Sequence, residues 1–256
     1  MIGQRGIYIK NQQEIESMRQ AGRINALALN AVRELIQPGV TTAELDAAAA
    51  EVIRKHGAKP AFLGVPGAYP FPATITVSVN DEMVHGIPGK RKLKSGDIVS
   101  VDCGTIFEGF VGDSAFTIGV GEISPQAQRL IDVTEKSLLL GIDKLRAGSR
   151  VGDVGAAIQS YVEGQRLHLT REYTGHGVGR QMWEGPQVPN YGIAGRGMML
   201  RTGMTIALEP MVLIGTPRTK VLPDQWTVAS ADGSLTAHFE HSVAITNNGP
   251  VILTAV

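Results

Sequence analysis

The stretch VDCGTIFEGFVGDS, residues 101–114, carries two aspartates on either side of a turn signal. If Glu108-Gly109 is the two-residue turn of a β-hairpin, position 107 pairs with 110, and therefore 104 pairs with 113 and 102 with 115. Because side chains alternate between the two faces of a strand, Asp102 and Asp113 then lie on one face as diagonal neighbours. The stretch therefore predicts an antiparallel hairpin that holds two carboxylates close together.

Two neighbouring carboxylates on apolar strands are costly unless a cation neutralises them, which makes a bound metal the economical explanation. The alternative is that one or both acids cap turns or pair with arginine at the surface. Three further residues in apolar or glycine-rich stretches add potential ligands. Glu209 lies in MTIALEPMVLI, Glu240 lies in LTAHFEHSVAI between two histidines, and His176 lies between two glycines in YTGHGVGR.

Taken alone, each of these residues is more often a core or edge residue whose side chain is hydrogen-bonded within the protein than a metal ligand. Together, four carboxylates and one histidine suit two adjacent divalent ions such as Mn²⁺, Fe²⁺ or Co²⁺, and Zn²⁺ is also compatible. Calcium fits less well because one of the ligands is a nitrogen.

Capping residues and apolar periodicity predict four helices. The first begins at the cap Asn11, with Glu14 completing a capping box, and ends near Pro38-Gly39; the second begins at Thr41 and stops at Gly57. The third and a weaker fourth helix cover residues 124–148 and 151–167.

Apolar, β-branched runs lie around and between these helices and predict strands. Helices in pairs that alternate with antiparallel hairpins indicate an α+β fold. The loop LGVPGAYPFPATI, residues 63–75, is either a rigid wall of a pocket or plain connecting structure. The strand-like runs are residues 97–107, 110–121, 203–214, 227–246 and 251–256.

Composition sets the class of protein. The chain has 256 residues, of which 43% are hydrophobic, and 24 basic residues balance 24 acidic ones, so bulk charge recruits neither nucleic acid nor an anionic membrane. The single cysteine, Cys103, excludes an intramolecular disulfide and a thiolate-rich zinc module. The N-terminal sequence lacks the apolar core of a signal peptide, and no run of about 18 apolar residues is present, so we expect a cytoplasmic protein.

The order Asp102, Asp113, His176, Glu209 and Glu240, within the phrases VDCG, GDS, GHGVGR, LEPMV and FEH, resembles the methionine aminopeptidases and the wider group of pita-bread metallopeptidases. The resemblance runs from about residue 11 to the C-terminus. Glu209 follows His176 by 33 positions and Glu240 follows Glu209 by 31, which favours the short type I form without a helical insertion.

The resemblance implies a single catalytic domain over residues 1–256, with residues 1–10 as a short lead-in. The ten residues before the first helix argue against an N-terminal zinc-binding extension or the additional domain of proline-specific relatives. The implied architecture is a pita-bread fold, in which two pairs of helices cover a pseudo-twofold antiparallel sheet.

The resemblance also implies an activity: removal of the N-terminal methionine from nascent polypeptides and peptides, with a preference for a small second residue. Asp102 would bind one metal, Asp113 and Glu240 would bridge both, and His176, in a tight turn, would hold the other with Glu209. The ions, Co, Mn, Fe or Zn, would assist hydrolysis, and Glu209 would carry a proton from water to the leaving amine. The expected partner is a peptide N-terminus, at the ribosome or free, and the expected state is a monomer.

The substrate pocket departs from the family pattern. Trp183 stands where the family has a second histidine, and its indole N–H either donates a hydrogen bond to the substrate carbonyl or only forms a pocket wall. His85 matches the histidine near the scissile amide, and Trp226 matches an aromatic of the methionine pocket. The remaining departures are Thr76 for a cysteine, Phe71 for a tyrosine and Met182 for a phenylalanine.

Two alternatives stay open. The first alternative is that the chain is another metallopeptidase of this fold, such as a proline-specific one. The second is that it is a peptide-binding relative that has lost catalysis. The chain retains all five ligands, four carboxylates and one histidine. This argues against the second alternative, because buried acids without a cation are costly.

Overall fold

The computed structural model describes residues 6–256, so the first five residues of the expected lead-in lie outside the described part. Residues 6–256 contain four helices: α1 (Gln12–Leu35), α2 (Thr42–Lys55), α3 (Pro125–Lys144) and α4 (Val151–Gly164). Asn11 and Glu14 form the predicted capping box of α1, and Thr41 and Glu44 form that of α2. All four predicted helices are confirmed. None of the helices in residues 6–256 is both long enough and apolar enough to cross a membrane.

The predicted hairpin is confirmed to the residue. Strands β4 (Ile98–Phe107) and β5 (Phe110–Gly119) pair with Phe107 opposite Phe110, and residues 104 and 102 stand opposite 113 and 115. Glu108 and Gly109 both have positive φ, 48° and 78°, as a two-residue turn that follows the strand twist requires.

The other strands are short, and most follow the predicted runs. Those that precede the hairpin are β1 (Lys59–Pro60), β2 (Ile75–Val79) and β3 (Glu82–Val84). Those that follow α4 are β6 (His168–Leu169), β7 (Gly175–Gly177), β8 (Glu184–Val188), β9 (Thr205–Leu208), β10 (Met211–Leu213), β11 (Thr219–Val221), β12 (Val228–Ser230), β13 (Thr236–His238), β14 (Glu240–Thr246) and β15 (Gly249–Ile252).

In the described part of the chain the main sheet has nine strands, and its path runs β1-β4-β5-β14-β9-β7-β8, with β2 on β4 and β15 on β14. On each side of the β5–β14 junction lie one antiparallel pair, β4–β5 or β9–β14, and one helix pair, α1–α2 or α3–α4. This repetition is the expected pseudo-twofold arrangement. Two three-stranded sheets, β13-β10-β6 and β11-β12-β3, complete the fold.

The main hydrophobic core lies between the helices and the sheet. Apolar side chains of all four helices pack there against the alternate residues of the central strands that point toward them. The other face of the central strands is where Asp102 and Asp113 project. The helix layer therefore supports the sheet from behind and leaves the acidic face for a ligand. Representative core residues are Val32, Leu45, Val99, Leu130 and Ile158.

Two expectations about backbone structure were wrong. The run 203–214 is not one strand, because it breaks between β9 and β10 at Glu209-Pro210, where proline has no N–H to donate to a ladder. His176 lies in the extended strand β7 rather than in a tight turn. Both differences affect how the candidate ligands are placed.

Candidate metal centre

The hairpin supplies the first two carboxylates. Asp102 and Asp113 are 8% and 3% exposed, so both are removed from water. The amide of Asn25 on α1 donates hydrogen bonds to the carbonyl oxygens of Cys103 and Gly112, one on each strand and each next to an aspartate. Asn25 therefore ties the two strands together beside the ligands.

The third carboxylate joins the same face through strand register. Ala115 stands opposite both Asp102 on β4 and Glu240 on β14, and Thr76 on β2 stands opposite Asp102. Residues that are directly opposite in antiparallel strands project on the same side of the sheet. One rung of the sheet, meaning one row of directly paired residues across adjacent strands, therefore carries the side chains of Thr76, Asp102 and Glu240 to the same side. Asp113 is a diagonal neighbour in this arrangement.

His176 reaches the site from the narrow strand β7, which lies between β8 and β9. Its glycine neighbours are required by close backbone packing. A Cβ at Gly177 would lie 2.1 Å from the carbonyl oxygen of Gly185, and a Cβ at Gly175 would lie 2.7 Å from that of Ala207. The bare backbone around the histidine is therefore what allows this strand to fit into the sheet.

The tautomer of His176 is fixed by its backbone. Nδ1 lies 2.9 Å from the carbonyl oxygen of Gly177, which can only accept, so Nδ1 carries the proton and Nε2 presents its lone pair. Nε2 lies 3.5 Å from Oε1 of Glu209 and 3.8 Å from Oδ2 of Asp113. This is the tautomer that a metal ligand needs.

Glu209 owes its position to the break after β9. The amide of Asn190 donates a 2.9 Å hydrogen bond to the backbone carbonyl of Glu209, which holds the interrupted segment. The carboxylate is 15% exposed and turns toward His176. All five side chains that the sequence singled out as ligands therefore converge.

Without a cation, the four buried carboxylates are unfavourable in their ionised forms. Burial raises the pKa of Asp102, Glu209 and Glu240 well above the ordinary carboxyl range, and the neighbouring carboxylates raise each of them further. Burial also raises the pKa of Asp113, to about 7. A divalent ion would reverse this balance because its charge favours the ionised forms.

The donor set fits a divalent metal. Within the described chain, Oδ1 of Asp102, Oδ1 of Asp113 and Oε1 of Glu240 are buried and have no hydrogen-bond partner. Buried carboxylate oxygens are expensive to leave unsatisfied, and here they converge with an imidazole lone pair. The described residues include two groups whose donor atoms all lie within 4.8 Å of one another. One group is Asp113, His176 and Glu240, and the other is Glu209, His238 and Glu240.

His238 in the second group was not predicted. Its ring is 1% exposed, and Nε2 lies 3.6 Å from Oε2 of Glu209 and 3.9 Å from Oε2 of Glu240. The sequence signal was available, because residues 238 and 240 are separated by two positions and such residues share a face of an extended chain. Asn25 was missed as well, although it is a polar residue on the apolar side of α1.

A cavity opens above the carboxylates, and most of the predicted pocket residues line it. Phe71 and Trp226 pack edge to face with centroids 5.2 Å apart and form its apolar side together with Phe62. The Trp226 N–H donates to the carbonyl of Tyr69 at 3.2 Å. Phe71 belongs to the loop 63–75, so this loop is a pocket wall. Thr76, His85 and Trp183 also line the cavity.

The prediction for Met182 is wrong in detail. Met182 is not among the residues that line the cavity within the described chain. It is 9% exposed and packs in the same apolar cluster as Phe62 and Phe71, with its methyl group against Gly104. The adjacent residue, Trp183, lines the cavity instead. Met182 supports the pocket from behind.

His85 stands in an unusual backbone conformation at the cavity, with φ of 61°. Its ring packs edge to face on Tyr173 at 6.1 Å. Burial lowers the pKa of His85 to about 4, so the imidazole is neutral near pH 7 and can donate one hydrogen bond and accept another.

The segment that carries Trp183 is held by a buried ion pair. Glu184 contacts the ammonium group of Lys10, and the two residues are 3% and 7% exposed. The other oxygen of Glu184 accepts a 3.2 Å hydrogen bond from the backbone N–H of Gln181. Trp183 itself is 36% exposed. The tryptophan therefore projects from a well-anchored segment.

Comparison with known proteins agrees with this geometry. The sequence profile of metallopeptidase family M24 matches residues 16–247. The chain is 50% identical to a methionine aminopeptidase of Clostridium perfringens over 250 residues, which is 98% of this chain and 99% of that relative. It is also similar to the crystal structure of a methionine aminopeptidase from Thermotoga maritima, with a TM-score of 0.95, 46% identity and coverage of 98% of this chain and 100% of the other. A prolidase from Pyrococcus furiosus, at 22% identity and a TM-score of 0.77 over 97% of this chain and 65% of the other, shares the fold alone.

Proposed function

The chain belongs to metallopeptidase family M24, and on that premise we propose that it is a hydrolase that removes the N-terminal methionine from nascent polypeptides and peptides. One observation carries the proposal: Asp102, Asp113, His176, Glu209 and Glu240 meet at the foot of a cavity with an apolar wall. The type I form and a single catalytic domain fit the length of the relatives that the chain matches.

The five ligands would hold two divalent ions. From the family resemblance, Asp113 and Glu240 would bridge the ions, Asp102 would complete one site, and His176 and Glu209 would complete the other. When bound, the ions polarise the scissile carbonyl and lower the pKa of the attacking water. Oxygen donors with one imidazole are compatible with Co²⁺, Mn²⁺, Fe²⁺ and Zn²⁺.

The chain's own residues would move protons and position the peptide. Glu209 can accept a proton from the attacking water and deliver it to the departing amine, because it is both at the site and slightly exposed to the cavity. The neutral His85 would hydrogen-bond the scissile amide. The Trp183 N–H would donate to the substrate carbonyl, in place of the histidine at this position in the family.

The methionine side chain would bind against Phe62, Phe71 and Trp226, since thioether groups make favourable contacts with aromatic rings. Thr76 would border this pocket at the rung that carries Asp102. We propose from the family resemblance that a small second residue is preferred. We propose from the same resemblance a cytoplasmic monomer that meets nascent chains, and the single unpaired, buried cysteine fits a reducing compartment.

The test uses the purified protein, stripped of metal and resupplied with Mn²⁺, Co²⁺, Fe²⁺ or Zn²⁺ in turn. It should release methionine from a Met-Ala-Ser peptide and much less from Met-Leu-Ser. Equal turnover of the two peptides would contradict the specificity. Cleavage confined to Xaa-Pro peptides would indicate a proline-specific enzyme, and metal binding without any cleavage would indicate a peptide-binding relative.

A further inference from the structure

His238 is a buried histidine that the proposed mechanism does not use. It ends β13, two residues before Glu240, and does not line the cavity among the described residues. Its Nε2 is fully buried and has no hydrogen-bond partner there. A peptide substrate therefore cannot reach this ring, so any role of His238 must act through the neighbouring carboxylates or the ions.

The backbone of His238 is fixed on both sides. Its N–H donates to Oγ1 of Thr117 at 2.9 Å, and the same hydroxyl donates to its carbonyl oxygen at 2.8 Å. With the chain anchored in this way, the ring is held with Nε2 toward Oε2 of Glu209, at 3.6 Å. The separation slightly exceeds a hydrogen bond, and such contacts often tighten when a site is loaded.

Glu209 consequently lies between two imidazoles. Its Oε1 is 3.5 Å from Nε2 of His176, and its Oε2 is 3.6 Å from Nε2 of His238. His176 presents a lone pair, because its Nδ1 proton is given to the carbonyl of Gly177. Two lone pairs facing one carboxylate would repel it from both sides. A proton on Nε2 of His238 removes the repulsion on its side and leaves Oε1 directed toward the site.

We propose that His238 is a positioning residue that carries its proton on Nε2 and donates it in a hydrogen bond to Oε2 of Glu209, so that Oε1 stays turned toward the metal site. Metal-binding carboxylates are commonly oriented by such outer hydrogen bonds. The inference rests on the proposed function only in taking Glu209 as a metal ligand.

A spectroscopic test needs no substitution and no substrate. The Zn²⁺-loaded protein, labelled with ¹⁵N, is studied by long-range ¹H–¹⁵N correlation of its histidine rings. We expect His238 to show a protonated Nε2 and an unprotonated Nδ1, and His176 to show the opposite tautomer. An Nε2 of His238 that is unprotonated or bound directly to zinc would overturn the proposal.

A matched set of variants tests the consequence. His238→Leu removes the donor, and His238→Gln keeps an amide N–H donor. His241→Leu is the control, because the His241 ring is directed to Oγ1 of Thr254, at 2.9 Å, and not to Glu209. Calorimetric titration with Mn²⁺ should show a roughly 10–100-fold loss of affinity for His238→Leu, recovery to within a few-fold for His238→Gln and no loss for the control.

Visible absorption of the Co²⁺-loaded variants gives a second readout. The spectrum should shift in His238→Leu and remain close to the parent in His238→Gln. Equal losses and equal spectral shifts in both variants would indicate a direct ligand and overturn the proposal, as would unchanged binding in both. Because no measurement uses a peptide, an absence of methionine release would leave these results interpretable, and the tautomer test stands even if His238→Leu does not fold.

Discussion

The two halves of the main sheet supply the candidate ligands in different ways. In the β4–β5 hairpin, ten consecutive residue pairs are in register, and Asp102 and Asp113 take their places from that register. Of the candidate ligands in the other half, Glu240 stands in register opposite Ala115, whereas His176 sits where the pairing of β7 with β8 shifts and Glu209 lies beyond the end of β9.

This difference shows what holds each ligand in place. A carboxylate in an uninterrupted ladder is fixed by every pair around it, so its position survives the loss of any single contact. A ligand at a break depends on one or two local bonds, such as that from Asn190 to the carbonyl of Glu209. Substitutions in the hairpin should therefore affect chemistry alone, whereas those in the other half should also affect geometry.

The largest expected effect is on catalysis and comes from the hairpin. Asp113→Asn should lower kcat/KM on a Met-Ala-Ser peptide on the order of 1000-fold, because losing the charge that we propose to bridge the two ions would remove several kcal/mol of metal-based stabilisation. The metal-free protein should melt no lower than the parent, since the change also removes repulsion. Asp132→Asn, at an exposed site on α3, is the control. A strongly lowered melting temperature for Asp113→Asn would break the contrast between the halves.

The next effect is on stability and comes from the other half. Glu184→Gln leaves the ammonium of Lys10 buried without its charged partner, which should lower the free energy of unfolding by about 3 kcal/mol. Urea denaturation measures this directly. The matched control is Glu163→Gln, whose pair with Arg171 is exposed at 2.9 Å and should cost less than about 1 kcal/mol. Equal losses in the two variants would mean that the buried pair stabilises the fold no more than the exposed pair does.

Metal affinity should depend on pH, because protons compete for the ligands. The raised pKa of Asp113, about 7, means that this carboxyl keeps its proton below that pH and must release it when an ion binds. Affinity should therefore strengthen about tenfold per pH unit for each proton released as pH rises from 5 to 7. Calorimetry in buffers of different ionisation enthalpy counts those protons, and a pH-independent affinity would contradict the electrostatics of the site.

The same shift acts in the opposite direction on the stability of the metal-free fold. Because the folded pKa of Asp113 is raised, its contribution to stability is complete below about pH 4 and is lost as pH rises through about 7. Added metal should cancel this loss.

The smallest expected effect concerns Trp183. If its N–H donates to the substrate carbonyl, Trp183→Phe should lower kcat/KM several-fold, which corresponds to a lost hydrogen bond of about 1 kcal/mol, with metal affinity unchanged. Trp183→His should restore the arrangement that the family has at this position. Both variants are measured on one Met-Ala-Ser peptide. Activity of Trp183→Phe equal to the parent would reduce the tryptophan to a pocket wall.

The hairpin was predictable from sequence because its geometry is local. Once Glu108-Gly109 is identified as the turn, counting outward gives every pair, including those of Asp102 and Asp113. The helix starts were predictable for a similar reason, since a cap and its partner three residues later satisfy backbone groups within one turn. The family resemblance drawn from the ligand order is also confirmed.

The other half was less predictable because its placement depends on contacts between distant segments. Apolar residues on both sides of Glu209-Pro210 suggested one strand, although the proline was a visible sign of a break. Which of Met182 and Trp183 faces the cavity depends on how that segment packs, a property that residue type does not reveal. His238 could have been found by the period-two argument that was applied only to the hairpin.

The two glycines beside His176 constrain how this gene can change. Every single-nucleotide substitution in a glycine codon that changes its meaning introduces either a stop or a residue with a Cβ atom, and a Cβ at Gly175 or Gly177 meets a carbonyl oxygen at 2.7 or 2.1 Å. No one-step mutation at either codon therefore yields a tolerated neighbour. Lineages that descend from this sequence can vary the residues at the cavity rim, but these two codons are confined to synonymous drift.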